Sequence, residues 1–229
     1  MKPIKENNFI WLTIAMIGSM LARAFSEEFP EYLALHVIEY VNVFFLLVAL
    51  ISLRSNGSWL KGLLAVIALM FLMVVARRVT FLPNFDIVYL VFLLFFYSAA
   101  IWLVGRQVLL TGSVDLNKMV GSIALYFMLG LFFSVLYTML LQFSPEALNG
   151  IGPNPIIAHL SPTNYFSFVV LTTLGFGEIT PVGPLARVLV TIEAVTGMFY
   201  LAMVVASLVG SMARSAELQA DEQFFGKEK

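Results

Sequence analysis

Apolar residues occupy this chain of 229 residues in long blocks, separated by short polar and charged stretches. Six blocks, at 9–25, 34–53, 59–76, 86–105, 119–142 and 184–213, each approach the roughly 20 residues an α-helix needs to cross a bilayer core. A further apolar piece, 164–174, is too short to cross. Ser161-Pro162 stands just before it. Serine caps free helix amides and proline suits a first turn, so a helix is expected to start there, dip into the membrane and return.

That re-entrant helix runs into Thr172-Thr173-Leu174-Gly175-Phe176-Gly177-Glu178, a glycine-punctuated stretch between two apolar segments. Lipid offers nothing to hydrogen-bond irregular backbone, so such a stretch persists at membrane depth only where protein buries it or where it lines a water-filled path. Gly175 and Gly177 tolerate left-handed dihedrals that cost residues with a Cβ, and they let successive carbonyls turn the same way. A strip of carbonyls facing one axis replaces the water shell of a monovalent cation. The C-terminal end of the short helix directs partial negative charge toward the same cation.

Composition narrows the class. Hydrophobic residues are 60% of the chain and charged residues 12%, about half the share usual in a soluble domain, which excludes an ordinary soluble enzyme. A net charge of -1 gives no reason to expect nucleic acid as a partner, and the lack of cysteine excludes disulfides and thiolate metal sites. No cofactor motif, phosphate loop or nucleophile and base set is visible, so the chain is read as not an enzyme. The basic start, Met1 to Asn8, followed by an apolar run without a small-residue cleavage site, is read as a retained first helix.

The stretch Thr173-Leu174-Gly175-Phe176-Gly177-Glu178 after Thr172 resembles the signature of the potassium-channel family, Thr-Val-Gly-Tyr-Gly-Asp after a preceding threonine. Leu174, Phe176 and Glu178 are conservative departures from it. The resemblance implies K+ held at Thr173, Leu174, Gly175 and Phe176, with Gly177 completing the filter, through backbone oxygens and the threonine hydroxyl. Thr172, Tyr165 and Glu178 would support it, Tyr165 standing where the pore helix often carries an aromatic donor. Val169 stands where some bacterial channels place a glutamate, so that carboxylate is missing.

The likeness continues into the last span. Arg187 and Gly197 fall where simple potassium channels carry an arginine after the filter and an inner-helix hinge glycine; for Gly197, close helix packing is an equal alternative. With Thr180-Pro181 and Tyr200-Leu201-Ala202, the segment from about Pro162 to Ser211 resembles the pore module of bacterial two-transmembrane-type channels, less than a third of the chain. Met198, Leu201, Val205 and Val209 form an apolar stripe assigned to the cavity and gate, with plain packing as the alternative; Ala202, Ala206 and Gly210 form a neighbouring small-residue stripe. Glu193 lies one turn before Gly197, deep enough to require a partner or a proton. It is read as a contact to the pore helix or as a proton-sensitive regulatory carboxylate.

The first four spans match a voltage sensor in number only. The fourth, Asp86 to Gly105, holds no basic residue and is followed by the single Arg106, whereas a sensor draws about 2.3 kcal/mol per charge per 100 mV from several. Arg23, Glu39, Arg77, Arg78 and Asp86 are read as outer-half packing or headgroup contacts, and His36 as a packing residue. Glu27, Glu28, Glu31 and Glu146 fall on the outer side as ordinary loop charges or a mild cation attractant.

The expected fold class is therefore all-α integral membrane: six transmembrane helices, a re-entrant pore helix and a selectivity filter. Residues 1–113 form a four-helix peripheral bundle and linker, 114–213 a pore domain, and 214–229 a short tail. Lys and Arg beside the spans place both termini in the cytoplasm of a multi-pass cell-membrane protein. One filter copy supplies one wall, so the resemblance implies a homotetramer with potassium ions, lipids and its own copies as partners, and no nucleic acid. Passive potassium conduction without steep voltage gating is the expected function. A weakly selective cation pore, or a subunit of a potassium-uptake transporter, are the alternatives.

Overall fold

The computed structural model describes residues 9–27, 43–44, 47–48, 58–79, 85–109, 116–152 and 156–225. Six helices are formed among them: α1 (Phe9–Glu27), α2 (Ser58–Val79), α3 (Phe85–Leu109), α4 (Leu116–Phe143), α5 (Leu160–Leu171) and α6 (Pro184–Phe225). Three carry stretches long and apolar enough to cross a membrane, at Asp86–Val108, Asn117–Phe143 and Pro184–Ser207, and α1 has a shorter apolar part, Phe9–Ala22. The chain is a multi-pass membrane protein. Most of the expected second span, 34–53, lies outside the described residues, as do His36, Glu39 and most of the linker before α4.

The helix ends follow local chemistry. Asp86 in the first turn of α3 and Arg106 in its last complement the helix dipole. α6 runs well past the expected end at 213, through the segment read as a separate short tail. Residues 211–225 contain no proline or glycine and are rich in Ala, Glu and Gln, so nothing stops the helix before Gly226. The short helix departs from expectation at its start. A 3-10 turn, Ile156–His159, feeds directly into α5; His159 is the N-cap with helical dihedrals and no side-chain cap, and Ser161 lies inside the first turn. Pro162 is tolerated there because first-turn amides have no intrahelical partner.

α4 is the centre of the fold. It packs along α3, α5 and α1, and one apolar core joins Leu12 and Met16 of α1, Ile67 of α2, Leu90, Leu93 and Phe96 of α3, and Met128 of α4. The Thr13 hydroxyl reaches the Val120 carbonyl at 3.3 Å, and the Phe9 amide donates to Asn117 Oδ1 at 3.1 Å, so α1 is tied directly to the foot of α4. A second core, around Phe133, Tyr137, Leu148, Phe166 and Ala186, closes the end where the chain turns into and out of α5. There Leu148–Asn149 (β1) pairs antiparallel with Thr180–Pro181 (β2), Leu148 opposite Pro181 and Asn149 opposite Thr180. This two-residue ladder pins the segment after residue 178 to the loop after α4.

α6 stands apart from this packing. Among its described side chains only Ala186, Glu193, Gly197 and Tyr200 are buried, at spacings of seven, four and three, a single stripe turned toward α4 and α5. The remaining face is apolar and open, including Leu185, Val188, Ile192 and Phe199.

Candidate functional site

The end of α5 sets the geometry of the stretch beyond it. The Thr173 amide donates to the Val170 carbonyl at 2.9 Å and the Leu174 amide to the Val169 carbonyl at 2.9 Å, the paired bonds of a Schellman cap with Thr172 as the capping residue. The Gly175 amide also reaches the Val169 carbonyl, at 3.4 Å. The first amides are thus spent on the helix end. The Val169 side chain is buried.

Such a cap requires a left-handed residue immediately after the capping position, and here it is Thr173, φ +58°. Gly175 and Gly177 follow with φ of +59° and +90°, while Leu174 and Phe176 between them do not have positive φ. Left-handed dihedrals at every second residue turn alternate peptides over, so the carbonyls of 173–177 can share one side. The two glycines behave as their sequence positions imply. Thr173 does not: a β-branched residue in this region carries about 1–3 kcal/mol of strain, and the sequence alone showed only the glycines as left-handed.

All residues from Thr172 to Glu178 are exposed in the single chain, Leu174 by 58% and Phe176 by 66%, and a Cβ on Gly175 or Gly177 would meet nothing within 4 Å. In the single chain this stretch is uncovered. Tyr165 and Glu178 are brought together as the sequence implied, the phenol facing the carboxylate. The Thr172 hydroxyl turns back to the Phe168 carbonyl at 2.6 Å. Arg187 is exposed, its Nε 3.5 Å from the Pro181 carbonyl.

Behind this stretch lies a set of buried polar groups that the sequence reading did not assemble. Glu193 is fully buried. Its Oε2 accepts a 2.5 Å hydrogen bond from the Tyr137 hydroxyl of α4, and its Oε1 pairs with the Ser167 hydroxyl of α5. The expected contact of Glu193 to the short helix is present. Ser167 Oγ also lies 2.7 Å from the Gly130 carbonyl, and Tyr137 is wedged edge-on against Phe166 with ring centroids 5.0 Å apart. One turn away, the Thr163 hydroxyl meets those of Ser134 at 3.0 Å and Thr138 at 2.8 Å. Tyr126 donates to the Leu171 carbonyl at 2.9 Å, and Tyr200, stacked on Tyr126, donates to the Ser122 carbonyl at 2.5 Å. The trace in the sequence was a run of hydroxyl residues, Ser134, Tyr137 and Thr138, inside an otherwise apolar span.

Gly197 belongs to the same contact. A Cβ there would sit 2.3 Å from the Leu171 carbonyl oxygen, and α6 passes through this position as continuous helix. The structure thus gives Gly197 the close-packing role; its hinge role is a separate matter of motion. Met198, Leu201, Val205 and Val209 are all exposed, on faces of α6 that no other described element covers.

The family described as "Ion channel" matches residues 156–214, which span the 3-10 turn, α5, the 172–178 stretch and the whole apolar span of α6. An inward rectifier potassium channel, Kirbac3.1, of Paramagnetospirillum magnetotacticum is 51% identical over 45 residues, 20% of this chain. The match spans only 15% of that channel's length. No solved structure matches the chain. The resemblance to potassium channels is thereby borne out, and residues 156–214 are similar to an ion-channel module.

Proposed function

We propose that this protein is a potassium-selective channel, a homotetramer in which four copies of Thr173–Gly177 surround one axis. The observation that carries this reading is the alternation of left-handed residues at 173, 175 and 177, which lets a ladder of carbonyls face one side. K+ is the transported ion, held at Thr173, Leu174, Gly175 and Phe176, with the Thr173 hydroxyl as an additional oxygen. The exposed wall of the filter supports assembly with further copies, since lipid offers nothing to pair with its irregular backbone.

In this arrangement Met198, Leu201, Val205 and Val209 line the cavity and gate, and both termini are cytoplasmic. Flow is passive and follows the electrochemical gradient. Purified protein in liposomes tests the reading: potassium gradients should drive flux that sodium gradients do not. Equal flux of the two ions would instead mean a weakly selective pore. A tetrameric mass in mild detergent is the expected state; a stable monomer contradicts the assembly.

A further inference from the structure

Hydrogen counting around Glu193 leads to a conclusion about its protonation. Ser167 Oγ carries a single hydrogen and faces two oxygens, the Gly130 carbonyl at 2.7 Å and Glu193 Oε1, both at hydrogen-bond distance. The Gly130 carbonyl only accepts. If the carboxyl is ionised, it also only accepts, and one of the two contacts is left without a hydrogen. If Glu193 Oε1 bears a proton, every contact is satisfied: Oε1–H donates to Ser167 Oγ, Ser167 donates to Gly130, and Tyr137 donates to Oε2.

The surroundings agree. The titratable groups that face Glu193 are Tyr137 and Tyr126 of α4, and α5 presents the neutral Ser167; among the described residues no basic side chain pairs with it. A bare carboxylate in a membrane-embedded protein interior, without a cation, is costly enough that the proton is retained instead. Within one residue this acid spans three helices, α6 to α4 and α6 to α5.

We infer that Glu193 is a proton-holding positioning residue: as the neutral acid it bolts α5 to α6 and α4 through Ser167 and Tyr137, and so holds the conduction stretch at the end of α5 in place. Loss of the proton removes the donor to Ser167 and puts an uncompensated charge behind the wall. The inference rests on the channel reading only for its effect on ion flow; the protonation itself does not.

Infrared spectroscopy of the full-length protein in lipid at neutral pH provides the test. The wild type is expected to show the carbonyl stretch of a protonated carboxylic acid. That band should vanish in Glu193→Gln, persist in Glu178→Gln, and move to higher frequency in Tyr137→Phe, which removes the hydrogen bond to the carbonyl oxygen. In flux measurements Glu193→Gln, whose amide keeps both a donor and an acceptor, should sustain flow that Glu193→Ala loses, and wild-type flow should fall at alkaline pH while that of Glu193→Gln does not. A wild-type spectrum with no protonated-acid band, or a band unmoved in Tyr137→Phe and retained in Glu193→Gln, overturns the inference. A band behaving as expected in a protein that passes no potassium would leave the inference standing and refute the channel reading.

Discussion

Gly197→Ala places one methyl group against backbone that has no means of yielding. The added carbon would lie 2.3 Å from the Leu171 carbonyl oxygen, 3.1 Å from its carbonyl carbon and 3.1 Å from its Cδ1. Restoring ordinary contact demands that α6 and the end of α5 separate by about 1 Å, and packed interiors transmit a shift of that size. Overpacking of this kind costs about 1–3 kcal/mol. The same carbonyl accepts the Tyr126 hydrogen bond, so the displacement reaches the last turn of α5, from which residues 172–178 depart. Thermal unfolding in detergent and potassium flux in liposomes should both show the loss. Leu171→Ala removes only the Cδ1 contact and should not rescue it. Gly62→Ala, on an exposed helical position where a Cβ meets nothing within 4 Å, is the control and should gain up to about 1 kcal/mol of helix propensity. A Gly197→Ala protein of wild-type stability with altered gating would refute the packing argument and favour a hinge.

Thr173→Gly relieves a left-handed β-branched residue and should stabilise the folded chain by about 1–2 kcal/mol while degrading potassium selectivity, because the hydroxyl is lost; lower thermal stability would show that Thr173 is not strained. Gly175→Ala should act in the opposite sense on stability, costing about 1–2 kcal/mol through its φ of +59° alone, and it should abolish selective flux; undiminished selectivity would falsify the filter assignment. Tyr165→Phe and Glu178→Gln should each alter how long the channel stays conductive, with a double mutant less than additive; strict additivity means the two groups do not act together. Open probability should vary shallowly with voltage, since α3 carries only Arg106, in its last turn, and Arg77 and Arg78 are adjacent instead of three apart; a large gating charge that vanishes on neutralising Arg77 and Arg78 would refute this.

Long apolar blocks are enough to specify membrane helices, because a bilayer requires every backbone group to be paired within its own segment and so leaves little choice of structure. That is why α3, α4 and the start of α6 were legible to within about a turn. The left-handed backbone at Gly175 and Gly177 was legible for a local reason: glycines at alternate positions after a helix too short to cross are free to adopt it. Tertiary structure alone decided what stands behind it. Ser134, Tyr137 and Thr138 read as isolated hydroxyls in an apolar span, and Ser167 as one more polar residue near a helix end. Their meaning depends on which faces of α4, α5 and α6 meet, and apolar blocks uniform around the helix carry no stripe from which to read it. Gly197 likewise allowed a hinge or a close contact until the Leu171 carbonyl was found against it. The left-handed Thr173 is the sharpest case, since its local preference opposes the conformation, and only the cap that closes α5 on Val169 and Val170 holds it there.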